Sequence, residues 1–278
     1  MKFILFFLVS SAYSLKTSKD VLRIMGGRNA TENEFPYVVK LVLQKLGSVQ
    51  ANIFVCTSIV LTTTWTLTAG HCIASVDQLT DSTSMIQTKL MLEYQSTPKS
   101  ESAYSEILST ALHPGKGKLA NDIGLLHTQP VIFATYGKIS SLDYTTLNGQ
   151  QVFLVGYGMI NENQEEASPS LPLFPQVLEL IVKDCPYMTL YPEVCFAPPC
   201  FLDKHKSKAL CPGDSGGPSI HPSGVVAINT ITDARDCGMY KVKKLRRDRY
   251  DAGYNIGTAT PLSPFIDWIS SVIQSEAV

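Results

Sequence analysis

The chain has 278 residues, 45% of them hydrophobic and 17% charged, with a formal net charge of -1. That is enough apolar material for one large β domain or two small ones, and it excludes a disordered or fibrous chain. A balance so close to neutral gives no overall bias toward nucleic acid, so a charged partner must be met by a local patch.

The first residues carry one cation, Lys2, then the apolar run Phe3 to Val9 and the small-residue stretch Ser10 to Ser14. This pattern predicts a secretory signal over residues 1–14, cut after Ser14, and a secreted, extracellular protein. A membrane anchor needs about 20 apolar residues, a length no run here reaches, so no membrane partner is expected. Seven cysteines in an exported chain predict disulfides. None has the C-x-x-C spacing of a zinc site, so no metal is expected, and no cofactor is expected either. The odd number leaves one thiol free or bonded to another molecule.

Asn29-Ala30-Thr31 is a sequon that marks Asn29 for glycosylation in a eukaryotic secretory pathway. Short β-rich runs then recur: Val38 to Leu43, Ser58 to Leu61, Thr66 to Ala69, Lys89 to Tyr94, Val152 to Val155, Leu178 to Val182 and Gly224 to Asn229. Turn-rich segments such as His113 to Gly117 and Pro222 to Gly224 separate them, and the pattern predicts an all-β sandwich or barrel. Ile160 to Pro175, acidic early and proline-rich late, predicts a surface loop. Two basic runs, Lys204 to Lys208 and Lys241 to Arg249, read either as solvated loops open to nicking or as a rim that steers acidic substrates. Only the C-terminus predicts a helix. Ser263 caps it, Pro264 occupies its first turn, and Phe265, Trp268, Ile269, Val272 and Ile273 repeat at helical spacing.

Three segments carry candidate chemistry. In Cys211-Pro212-Gly213-Asp214-Ser215-Gly216-Gly217-Pro218 a serine sits in a glycine-rich turn, where backbone N–H groups can crowd a reacting carbonyl. Thr68-Ala69-Gly70-His71-Cys72 ends a strand-like run on a histidine, and Asn121-Asp122-Ile123-Gly124-Leu125-Leu126 sets a carboxylate against an apolar strand. Each is weak alone. Together, in the order His, Asp, Ser, they match a nucleophile, base and orienter arrangement known on β-barrels.

On these motifs the chain, from Ile24 to Ile269, resembles the trypsin/chymotrypsin-like serine endopeptidase family. The resemblance implies two six-stranded antiparallel β-barrels with a C-terminal α-helix, residues 24–140 forming the first barrel and 141–278 the second with the helix. It implies His71 as general base, Asp122 as its orienter and Ser215 as nucleophile, with the N–H groups of Gly213 and Ser215 as the oxyanion hole. Residues 15–23 would be an activation propeptide. A cut after Arg23 would free the Ile24 ammonium to pair with Asp214.

The family's bridges imply Cys56 with Cys72, Cys211 with Cys237, and Cys185 with either Cys195 or Cys200. The pocket floor falls at Ala209, where trypsin-like members carry an aspartate, so a Lys or Arg side chain would be left without a partner. Ala227 to Asn229 takes the place of the pocket wall, Asn229 narrowing the entrance, and Gly257 matches the opposite side. The resemblance therefore implies a monomeric protease favouring apolar residues, with protein or peptide substrates, a separate trypsin-like activating protease and proteinaceous inhibitors as partners. From a different class, the alternative is a weak or inactive homologue that binds or regulates a partner through the same cleft.

Overall fold

The computed structural model describes residues 27–45, 52–82, 88–95, 101–115, 121–158, 174–185, 191–197, 210, 213–232 and 257–275. Six strands close a first barrel in the order β2 (Val38–Lys45), β3 (Asn52–Val60), β4 (Trp65–Thr68), β7 (Gly124–Thr128), β6 (Ala103–Leu112) and β5 (Thr88–Tyr94). Every pairing is antiparallel, and β2 to β5 completes the ring. The apolar runs of β2 and β3 bury Val39, Leu41, Ile59 and Val60, each at most 1% exposed.

The second barrel runs β8 (Gln151–Gly156), β9 (Gln176–Lys183), β10 (Val194–Ala197), β13 (Gly257–Pro261), β12 (Gly224–Thr232) and β11 (Pro218–His221), and β11 pairs back to β8. The expected pair of six-stranded antiparallel barrels is thus present. Its core is built from Leu154, Leu178, Leu180, Phe196, Val226 and neighbours.

Two features cross the boundary at residue 140. The short strand β1 (Arg28–Asn29) pairs with β9 of the second barrel, Arg28 facing Val177. A clasp follows it: Arg28 donates to both oxygens of Glu34 at 2.8 and 2.6 Å, and this guanidinium holds the Glu34 carboxyl down at about 2. In the other direction, the C-terminal helix α2 (Ile266–Ser275) packs Ile269 onto the first-barrel cluster with Leu67 and Ile73, beside Val225, Ile228 and Leu262. The apolar stripe at helical spacing created that docking face.

The short strands β1, β10, β11 and β13 were not marked in the sequence, and three further elements differ from its expectation in an informative way. A helix α1 (Gly70–Ser82) follows β4, although the run is rich in Thr, Ser and Asp; burial of Cys72, Ile73 and Val76 in the first barrel outweighs that poor propensity. Strand β6 was not foreseen because Leu108 and Leu112 face solvent, at 54% and 45% exposure, while ladders to β5 and β7 hold its backbone. The C-terminal helix opens as a 3-10 turn over Ser263–Phe265, and the Ser263 hydroxyl accepts from the Tyr144 N–H at 3.0 Å instead of capping it. The Ile160 to Pro175 loop lies, up to residue 173, outside the described residues.

Candidate active site

Antiparallel pairing of β4 with β7 puts Thr68 opposite Gly124. His71 lies just beyond the first of these and Asp122 just before the second, so the ladder delivers both to one end of the sheet. Asn121 takes a left-handed φ of 50°, which asparagine tolerates, and Ile123 N–H closes a tight turn onto the Asn121 carbonyl at 2.7 Å. That turn points the Asp122 carboxylate at the first turn of α1. One oxygen, Oδ1, accepts the His71 backbone N–H at 2.7 Å, and Oδ2 meets the ring Nδ1 at 2.6 Å. The Asp122 side chain is 3% exposed and the imidazole 29%. A buried carboxylate held twice by one residue fixes the ring plane and keeps a proton on Nδ1, leaving Nε2 as the acceptor.

Ser215 arrives from the other barrel. Its carbonyl accepts the Thr57 N–H at 2.9 Å, and the turn is tied to β12 by Gly216 N–H on the Asn229 carbonyl and Asn229 N–H on the Gly217 carbonyl. The Ser215 hydroxyl donates to the Thr230 carbonyl at 3.1 Å. The structure therefore joins His71 to Asp122 and sets Ser215 on Thr230, while His71 Nε2 lies 3.7 Å from Cys72 Sγ. Catalytic hydrogen bonds in an unliganded site are often long and tighten on binding.

Glycine is required at Gly216. Its φ is +81°, and an added Cβ would run into the Thr57 carbonyl and the Thr68 hydroxyl. We expect Gly216→Ala to destabilise the fold by about 2 to 4 kcal/mol through strain and overpacking. A urea unfolding midpoint that does not move would rule out this close approach.

The remaining sequence candidates fall as follows. Asp214 is fully buried and accepts the Gly158 N–H at 2.8 Å. Gly213 has a φ of +100°, and its carbonyl accepts from the Thr57 hydroxyl at 2.8 Å. Asn229 is 1% exposed with its Oδ1 on the Ser219 hydroxyl in the interior, so it lines no entrance. The ladder between β12 and β13 shifts between Asn229 and Ile231, and the residue inside that bulge, Thr230, is the one beside Ser215. Gly257 opens β13, paired with Thr232.

Cys56 is bridged to Cys72 and Cys185 to Cys195. Asn29 is exposed on β1, its Oδ1 accepting from Gln176. Arg23, Ile24, Ala209, Cys200, Cys211, Cys237 and both basic runs lie outside the described residues. Thr57, Tyr157 and Thr230 were missed by sequence reasoning, since nothing local distinguishes them from their neighbours in β3, after β8 and in β12.

Cys56, His71 and Cys72 offer three donor atoms within 4.8 Å of one another. Both sulfurs belong to one disulfide, and a metal needs thiolates, so the donor set suits no ion.

The sequence profile of the trypsin family matches residues 24–269. Serine protease SP24D of Anopheles gambiae is 23% identical over 210 residues, covering 74% of this chain and 70% of that protein. The Spaetzle-processing enzyme of Drosophila melanogaster is 25% identical over 283 residues, covering 91% and 66%. Among solved structures, neuropsin, a serine protease expressed in the limbic system of mouse brain, superposes with a TM-score of 0.60 at 16% identity, covering 89% of this chain and 98% of that one. With that profile spanning both barrels and the His, Asp and Ser segments alike, the chain belongs to the trypsin family of serine endopeptidases.

Proposed function

We propose that the protein is secreted as a zymogen, is cut after Arg23, and then hydrolyses peptide bonds after small or medium apolar residues. The observation that carries the catalytic part of this reading is the doubly bonded pair of His71 and Asp122, with Ser215 tied to the same barrel through its carbonyl on the Thr57 N–H. In the working enzyme the Ser215 hydroxyl turns from the Thr230 carbonyl to His71 Nε2, gives up its proton and attacks the scissile carbonyl. The imidazolium, steadied by Asp122, returns the proton to the leaving amine, and water repeats the sequence to free the acyl group. The N–H groups of Gly213 and Ser215 stabilise the developing oxyanion, each donor worth about 2.7 to 4 kcal/mol of barrier.

Activation follows from charge burial. Asp214 sits in the interior, where the Ile24 ammonium released by the cut is its natural counter-ion, and breaking such a pair costs about 3 to 5 kcal/mol. Strand β1 and the clasp of Arg28 with Glu34 fix the chain a few residues downstream of Ile24 and so limit where the new terminus can reach. Ala209 at the pocket floor supports the apolar preference, with Gly257 on one wall. Secretion rests on the apolar leader, and no helix among the described residues is long and apolar enough to cross a membrane. A glycan on Asn29, monomeric behaviour, and regulation by a trypsin-like activator and proteinaceous inhibitors complete the proposal.

The test is to treat the purified chain with trypsin, challenge it with a fluorophosphonate before and after, and profile cleavage in a peptide library. Labelling of Ser215 that appears with the cut, and cleavage after Ala, Val or Leu, are the expected results. Equal labelling of the uncut chain would remove the activation argument, absence of label would favour a binding homologue, and cleavage after Lys or Arg would overturn the pocket reading.

A further inference from the structure

The turn that presents Ser215 is soft by construction. Gly213 and Gly216 both hold positive φ values, and without a Cβ nothing intrinsic keeps the intervening peptides from rotating. The peptide between Gly213 and Asp214 joins the two N–H groups assigned to the oxyanion hole. If its carbonyl swung toward the scissile bond, a negative dipole would sit where negative charge develops.

That carbonyl is held from the opposite barrel. Thr57, fully buried on β3 next to Cys56, donates its hydroxyl to the Gly213 carbonyl at 2.8 Å. The same oxygen accepts the Tyr157 N–H at 2.9 Å, so the hydroxyl proton is directed at Gly213 and has no competing acceptor. The backbone of Thr57 adds its N–H to the Ser215 carbonyl at 2.9 Å, and its own carbonyl takes the Thr68 hydroxyl at 3.0 Å. A β-branched side chain in a full core has one rotamer available, which makes the hydroxyl a fixed post. Gly213 is further confined by the Phe54 ring, which occupies the space a Cβ there would need.

We propose that Thr57 is a positioning residue for the oxyanion turn: its hydroxyl, clamped between the Tyr157 N–H and the Gly213 carbonyl, keeps the Gly213 and Ser215 N–H groups aimed together across the barrel interface. This rests on the catalytic reading of the site given above. Thr57 touches no reacting atom, so its removal acts on the transition state and leaves substrate affinity in place.

The experiment compares wild type with Thr57→Val, which keeps the shape and deletes the hydroxyl, and with Thr57→Ser, which restores it. All are cut after Arg23, and rates are normalised to sites titrated by a fluorophosphonate. T57V is expected to lose about 10- to 100-fold in kcat with KM within about twofold, a part of the loss seen when an oxyanion donor is deleted outright. Affinity for a peptide boronate, whose tetrahedral anion needs the hole, falls by the same factor, whereas T57S stays within about threefold of wild type.

A T57V protein that loses stability or titratable sites but keeps kcat per site makes Thr57 merely structural and overturns the proposal. So does a T57S protein as slow as T57V. Should T57V not fold, Thr57→Ala read against T57S carries the same comparison. A wild type that neither turns over nor binds the boronate overturns the catalytic reading and this inference with it; a working wild type beside an equally fast T57V overturns this inference alone.

Discussion

Ser215→Ala protein, cut after Arg23, is expected to keep its fold and lose about 10⁶-fold in kcat, with fluorophosphonate labelling abolished. The structural cost is small because, among the described residues, the hydroxyl makes one neutral hydrogen bond, to the Thr230 carbonyl on a half-buried site, worth about 1 kcal/mol. The turn itself is held by main-chain bonds that alanine leaves intact, from Thr57 and from Asn229. On the role proposed for Ser215, what disappears is the nucleophile, and the residual rate then reflects only binding and oxyanion stabilisation. Initial rates on the best library peptide, with circular dichroism as the control for folding, give the answer. A variant that retains more than about one hundredth of the wild-type rate would mean that Ser215 is not the attacking group, since nucleophile removal in such a triad costs orders of magnitude more.

The second large effect is at Asp122. Both of its oxygens accept from His71, one from the backbone N–H and one from the ring. Asparagine offers one acceptor oxygen and one amino group. With the oxygen on the backbone N–H, the amino group faces Nδ1 and forces that nitrogen to become the acceptor, which moves the ring proton to Nε2. A protonated Nε2 cannot take the Ser215 proton. Asp122→Asn should therefore lower kcat by about 10⁴-fold at neutral pH, with little change in KM. The measurement is a kcat and KM pair at titrated concentration. A rate within tenfold of wild type would show that the imidazole is oriented by something other than this carboxylate.

The local motifs were legible because each depends on short-range chemistry. A Gly-Asp-Ser-Gly-Gly-Pro segment needs its glycines for left-handed φ values at Gly213 and Gly216, and an Asn before Asp122 suits the positive φ it adopts. Short β-rich apolar runs marked β2, β8 and β9 as strands, and the stripe from Phe265 to Ile273 marked the docking face of α2. Elements held by other forces were hidden. Helix α1 is rich in Thr, Ser and Asp and owes its existence to the burial of Cys72, Ile73 and Val76 against the first barrel, while β6 carries Leu108 and Leu112 outward and so lacks the apolar-inward pattern of its class.

By itself, then, the amino-acid sequence determined the all-β class, the order of His71, Asp122 and Ser215, and the glycine turn that carries the last of them, and the resemblance of these motifs implied the two barrels. Tertiary structure alone decided how these parts meet. The choice of Cys195 as the partner of Cys185 came from the placement of β10 alongside β9. The bulge in β12 set Thr230 beside Ser215 and sent Asn229 inward to Ser219, a shift no count along the chain reveals. The Thr57 clamp joins groups 100 and 156 residues apart. The physical reason is common to all three: a hydrogen bond or disulfide between different elements depends on where their folded surfaces come to rest, and a hydroxyl or thiol has no local periodicity to announce its partner.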